Sequence, residues 1–220
     1  METGRAAVGS GGHSGNAARI SHAERKSRTR AALVQACRQL ISTGADVSMP
    51  AVSELSGVSE ATAYRHFPDL VSLVNEALRD LWPTSQVALA PIAHVTDPVQ
   101  RIGFACDFLL RRVHAYQGSV RAVIAATVTR PSTVPTRPGL RFGLIDAALD
   151  PALSAHRGPA ASTRITQLKI DLSAVVSAEA LFSLTDLRQV SLDEAIASLC
   201  RTAETITRVA VADLERCSPE

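Results

Sequence analysis

Apolar residues recur at steps of three and four along almost the whole chain, the spacing of a single helical face, and no stretch reads as a sheet. The pattern predicts an all-α protein. Leu33, Ala36, Cys37, Leu40 and Ile41 form the stripe of a first helix, which Gly44 ends. Ser48 is set to cap a short second helix, with Pro50 in its first turn and Val52 and Leu55 facing inward. Gly57 supplies a turn, Ser59 caps a third helix ending near Phe67, and Pro68 and Asp69 restart the chain. Leu70, Leu73, Val74, Ala77, Leu78 and Leu81 give a fourth helix its apolar face.

Pro83 and Pro91 punctuate a weakly patterned link to the remainder. Asp97 followed by Pro98 opens a new helix, with the stripe Val99, Ile102, Ala105, Cys106, Leu109 and Val113. A further helix is expected from about Ser119 to Thr129 and another from Arg141 to Leu149. The three-proline segment from Arg130 to Gly139 reads as a loop, and Pro151 to Pro159 as a connection. Ile165, Leu168, Leu172, Val175, Glu179 and Phe182 then make one continuous seam with a single polar member. Ser191 to Glu194 has the form of a capping box, opening a last helix striped by Ile196, Leu199, Ala203, Ile206 and Ala210. The two seams, over about 163–184 and 192–212, suit packing on each other or, with a second copy, a four-helix bundle.

Composition is that of a globular chain, 46% hydrophobic and 20% charged. The net charge of +2 says little about partners, but its distribution says more. Residues 1–30 hold Arg5, Arg19, Arg25, Lys26, Arg28 and Arg30 against only Glu2 and Glu24. That reads either as a basic arm suited to a polyanion or as a solvated tail. Met1 to Asn16 is rich in Gly, Ser and Ala and lacks a signal-peptide core, so residues 1–22 are expected to be a disordered extension. No apolar run has transmembrane length. Cys37, Cys106, Cys200 and Cys217 are widely spaced, which argues against a disulfide framework or zinc site and for a reducing cytoplasm. Cys37 and Cys106 fall on apolar faces and read as core.

Ser48 to Leu81 is the informative segment. Inward-facing Val52, Leu55, Val58, Ala63 and Phe67 leave Glu60, Ala61, Tyr64 and Arg65 exposed on the third helix, flanked by Thr62 and His66. On spacing alone this fits a helix-turn-helix or a plain helical hairpin. The run from Val47 to Asp69, above all Gly57-Val58-Ser59, Thr62 and Tyr64-Arg65-His66-Phe67, resembles the signature of TetR-type transcriptional regulators. The resemblance extends from Arg28 to about Leu81. It implies an N-terminal three-helix DNA-binding head over 23–81 and a C-terminal effector-binding and dimerisation domain over 82–220. It also implies a cytoplasmic homodimer, commonly a repressor, that binds a double-stranded DNA operator until a small molecule releases it. Under the resemblance the two final helices form the dimer bundle, which favours that use of the seams.

By position, the resemblance implies that Ser59 and Thr62 approach phosphates or base edges and that Tyr64 and His66 clamp the backbone. Ser48 would touch a phosphate, and Arg65 would reach bases or backbone, guanine being a suitable target. Two positions depart from the pattern. Glu60 stands where relatives often carry a basic residue, able to accept from a cytosine amine but repelling phosphate. Leu70 stands where lysine is common, and the basic stretch Arg25, Lys26, Arg28 and Arg30 is placed to compensate.

Residues 83–220 hold no phosphate loop and no nucleophile or metal-ligand spacing, so no catalysis, cofactor or metal is expected. Asp107 and Arg111 suit an ion pair along one helix face. Candidate walls of an effector cavity are Trp82, Phe104, Phe108 and Phe142, with Asp107 and His114 as polar handles, although each equally suits ordinary core or surface. The rival readings are a helical enzyme or ligand carrier with a vestigial head, and a protein-interaction module that uses the two seams.

Overall fold

Among the residues that the computed structural model of the protein describes, 22–79, 82–129 and 140–216, eleven α-helices form and no strand. The predicted extension as far as residue 21, the proline-rich loop over 130–139, Leu81 and Cys217 lie outside the described residues.

Four helices build the N-terminal unit: α1 (His22–Thr43), α2 (Met49–Ser56), α3 (Glu60–His66) and α4 (Leu70–Leu78). Their shared core is fully buried at Leu33, Cys37, Val52, Ala63, Val71 and Val74. Ser48 caps α2 by accepting from the Ala51 amide at 3.3 Å, and Asp69 caps α4 by accepting from Ser72 at 2.7 Å. Gly57, at φ 67°, makes the left-handed turn between α2 and α3. Three sequence expectations change. Ser59 stands at the N-cap of α3 but does not cap it through its side chain. Leu55 does not point inward: Met49, Val52 and Ser53 take the buried face of this short helix and leave Leu55 43% exposed. The basic residues Arg25, Lys26, Arg28 and Arg30 are not an arm, because α1 already begins at His22 and carries them on its first turns.

The weakly patterned link marked by the two prolines holds α5 (Ser85–Leu89) and a 3₁₀ turn. The rest comprises α6 (Pro98–Ala115), α7 (Gln117–Thr129), α8 (Leu140–Leu153), α9 (Pro159–Val175), α10 (Ala178–Phe182) and α11 (Leu192–Arg216). Asp97 caps α6 from the side chain at 3.0 Å, and the Ser191–Glu194 capping box closes with both bonds, at 3.1 and 3.3 Å. Helix α6 is the axis of this unit, packed against α8 and α11, and α11 in turn against α9. Ile102, Leu110, Leu149, Leu172 and Ile196 lie at the centre of its core. Where α11 passes α6, the Glu204 side chain lies in the space that a Cβ at position 103 would take, so a larger residue there would first have to move Glu204.

Pro151 does not end α8, which continues to Leu153. Proline cannot supply the amide that the Ala147 carbonyl would ordinarily receive. Arg101 supplies it instead, with Nη2 2.8 Å from Ala147 O and Nε 2.8 Å from Ala148 O. Nη1 of the same buried guanidinium donates to the carbonyls of Ile92 and Val95, at 3.2 and 3.1 Å. The seam predicted as one helix over 163–184 is also broken. Helix α9 stops at Val175, and Ser177 begins α10 as an N-cap that accepts from Ala180 at 3.1 Å. A wide π-type turn, Ser183–Leu187, follows. Arg121 of α7 pairs with Asp186 in that turn, at 2.6 and 2.9 Å, and lies over the Phe182 ring.

Burial pushes the Cys37 thiol up to about 12, which makes it an inert core residue. Cys106 and Cys200, 94 positions apart (200 minus 106), face each other across α6 and α11. Their mutual hydrogen bond, then burial, pushes the Cys106 thiol up, while the same bond lowers that of Cys200.

Candidate nucleic-acid interface and effector cavity

Helix α3 is too short to stand alone, and two buried side chains seat it: Ala63 from its middle and Phe67 from its C-cap, both within 1% of full burial. With those two facing in, the outer face is fixed. Glu60, Ala61, Tyr64 and Arg65 are exposed, Tyr64 at 49%, and Thr62 and His66 stand half-buried at its edges. These are the positions that the sequence put outside.

The hydroxyls are ordered among themselves. Thr62 Oγ1 accepts from Ser59 Oγ at 3.0 Å and from Arg65 Nη2 at 2.7 Å. A hydroxyl that accepts two bonds still has its own proton to donate. The bond to Thr62 folds Arg65 along α3, and Arg65 remains exposed. Ser48, half-buried at the start of α2, uses its oxygen for the cap and keeps its proton to give.

Positive charge converges on the C-terminal end of this face. Burial first, then the neighbouring charges of Lys26, Arg30 and Arg65, holds the His66 imidazole below its ordinary 6.5, and its Nδ1 has no hydrogen-bond partner in the protein. Lys26 therefore belongs with the α3 residues although it lies 40 positions away (66 minus 26). Arg28 is exposed on the same helix. Arg30 has a structural role: Nε reaches Glu76 Oε1 at 3.0 Å, Nη2 bonds the other carboxylate oxygen, and Nη1 donates to the His66 carbonyl at 2.8 Å. Its guanidinium also covers the Phe67 ring at 4.1 Å. One side chain thus ties α1, the end of α3 and α4 together. The α1 stripe, continued backwards from Cys37 through Leu33, reaches Arg30 and then Lys26, which is the signal that locates both. Glu76 has no comparable local signal. Leu70 is half-buried against the same core.

The cavity candidates do not converge. A cavity of about 110 Å³ opens between the two units, among α4, α6, α7, α8 and α10, and of the six proposed residues only Trp82 lines it. Phe104, Asp107 and Phe108 line a separate, shallow depression on another face of α6. Asp107 there is engaged by Arg111 at 3.0 Å, the pair expected from their spacing. His114 borders a third hollow beside Arg121 and Asp186, and Phe142 lies exposed. Leu109 and Val113, read from sequence as plain core, are the α6 residues that reach this cavity. Asn75 and Leu78 of α4 form its opposite wall. Helix α7 also docks on the N-terminal unit, burying Val123 in its core.

The chain matches no protein-family model and no curated protein. Among the described residues no helix is long and apolar enough to cross a membrane, and no three His, Cys, Asp or Glu side chains are grouped to hold a metal ion.

Proposed function

We propose that this protein is a sequence-specific DNA-binding regulator of the TetR type, a cytoplasmic homodimer that represses from a near-palindromic operator until a small molecule occupies the cavity. One observation carries the reading: the outer face of α3 gathers hydroxyl, phenol, guanidinium and imidazole donors beside Lys26, on a helix whose inner face is locked. Donors so arranged suit phosphates and base edges, and the helix is short enough for its N-terminal half to enter a major groove. Release has a route. Helix α4 lines the cavity with Asn75 and Leu78 and grips Arg30 with Glu76, so a ligand that displaces α4 displaces the end of α3. The effector lowers DNA affinity by its preference for the displaced state.

The test is a gel shift and salt titration with DNA flanking the protein's own gene. Saturable binding to a near-palindrome should weaken by about a hundredfold or more between 50 and 200 mM salt. Tyr64→Phe and His66→Ala should weaken binding on all sequences, and Arg65→Ala should change which sequence is preferred. Absence of specific binding by the ligand-free protein overturns the reading.

A further inference from the structure

Helices α6 and α11 pack antiparallel, and their facing positions fall in register. Glu204 lies against Gly103, and Arg111 Nη1 meets Asp193 Oδ1 at 3.2 Å, so partners on α11 descend as positions on α6 rise. Between these two contacts the register sets Cys106 opposite Cys200, and the two thiols are hydrogen-bonded to each other. Ile102 and Leu109 on α6, with Leu199 and Ala203 on α11, are buried and hold the helices together around the pair. Two sulfurs already in contact have only to close to the roughly 2 Å of a disulfide, which side-chain rotation can supply with the helices in place. The thiols are unequal. Cys106 is fully buried, while Cys200 is partly open to solvent. Their hydrogen bond, then burial, keeps the proton on Cys106. The same bond lowers the Cys200 thiol, an effect that Arg111 assists and that burial, Asp107 and Glu204 oppose. Cys200 is thus the sulfur an outside reagent can reach, and Cys106 is the one behind it.

We propose that Cys106 and Cys200 form a modification site, which hydrogen peroxide converts to a reversible disulfide tying α6 to α11. The Cys200 thiolate attacks one peroxide oxygen. The S–O bond forms as the O–O bond breaks, and the released hydroxide takes up the proton that Cys200 gave to solvent and leaves as water. The Cys106 sulfur then attacks the sulfenic sulfur of Cys200. The S–S bond forms as the S–O bond breaks, and the hydroxide departs with the Cys106 proton as a second water. The two thiols have lost the two electrons that the peroxide gained. Attack by a dithiol reductant reverses the bridge, so in a reducing compartment it is transient. Cys37, equally buried but in the N-terminal core, is the internal control. Leu109 and Val113, on the next turns of α6, line the cavity, so the bridge fixes that wall to α11. That this alters release from DNA rests on the regulator reading above; that the bridge forms does not.

The full chain, reduced and then freed of reductant, is treated with hydrogen peroxide, unfolded in N-ethylmaleimide and digested with trypsin. Before alkylation the intact mass should fall by about 2 Da. Peptides 102–111 and 189–201 should appear as one linked species that dithiothreitol separates, with Cys37 alkylated throughout. The bridge spans 94 positions (200 minus 106), so the thermal midpoint should rise by about 5 °C or more on oxidation and return on reduction. Cys106→Ser should stop at the sulfenic acid, trapped on Cys200 by dimedone, and Cys200→Ser should leave Cys106 unmodified. Should either variant fail to fold, the linked peptide in the unaltered protein still decides. Two thiols that both remain alkylated, a bridge to Cys217 or between chains instead, sulfinic acid at Cys200 without a bridge, or a midpoint that does not rise overturns the proposal. A protein that forms the bridge but binds no operator keeps this site and loses the regulator; one that binds an operator but forms no bridge does the reverse.

Discussion

His66 sits among positive charges with an unpartnered Nδ1, and that setting has a measurable consequence. Its protonated form is disfavoured in the folded protein, so the folded value lies below the ordinary 6.5. As pH falls through about 6.5 the unfolded chain takes up the proton first, and stability declines until the folded value is reached. Urea melts of the protein and of His66→Gln at pH 7.5, 6.5 and 5.5 should therefore diverge, the variant losing less stability on acidification. Parallel losses would mean that the imidazole is not held neutral. At this scale the outer face of α3 was legible, because Ala63 and Phe67 facing in leaves no choice for Tyr64 and Arg65. What sequence did not reveal were contacts across long separations. Arg30 and Glu76 are 46 positions apart (76 minus 30), and nothing local to either names the other.

Helix boundaries followed sequence where a cap decided them and missed it where a distant side chain did. Ser48, Asp69, Asp97 and the Ser191–Glu194 box all work through bonds within three residues, which sequence can display. The end of α8 depends on Arg101, which arrives from another helix to take the carbonyl that Pro151 leaves open. Replacing it exposes that dependence. Arg101→Met should cost about 2–4 kcal/mol in chemical denaturation, since it strips the donors from four carbonyls in a largely buried setting. A loss below about 0.5 kcal/mol, within ordinary surface variation, would show that the carbonyls find other partners. The break between α9 and α10 was hidden for a different reason. Leu172, Val175, Glu179 and Phe182 keep step across it, so periodicity runs straight through, and only Ser177 followed by an acidic residue marks a fresh helix start.

The all-α architecture followed from the repeating three- and four-residue steps, but the use of the last seam is divided. Ile196, Leu199 and Ala203 are buried in this chain's own core, where α11 packs on α6. Further along, the demand changes. Ile170 on α9 and Val209 on α11 are 57% and 58% exposed, and Leu168, Ile206 and Ala210 border a groove between these helices, flanked by Arg164, Asp171 and Asp213. Apolar side chains rimmed by charges on two neighbouring helices suit the same two helices of a second copy. If the proposed regulator is a dimer through this face, light scattering should give about twice the 23.3 kDa of the chain. Val209→Arg should then yield a folded monomer, since the position is exposed within one chain. Its operator affinity should fall by about a hundredfold or more, because two heads joined in one particle bind far more tightly than either alone. A wild-type protein that stays monomeric at micromolar concentration, or a Val209→Arg variant that still dimerises, would put the partner on another face.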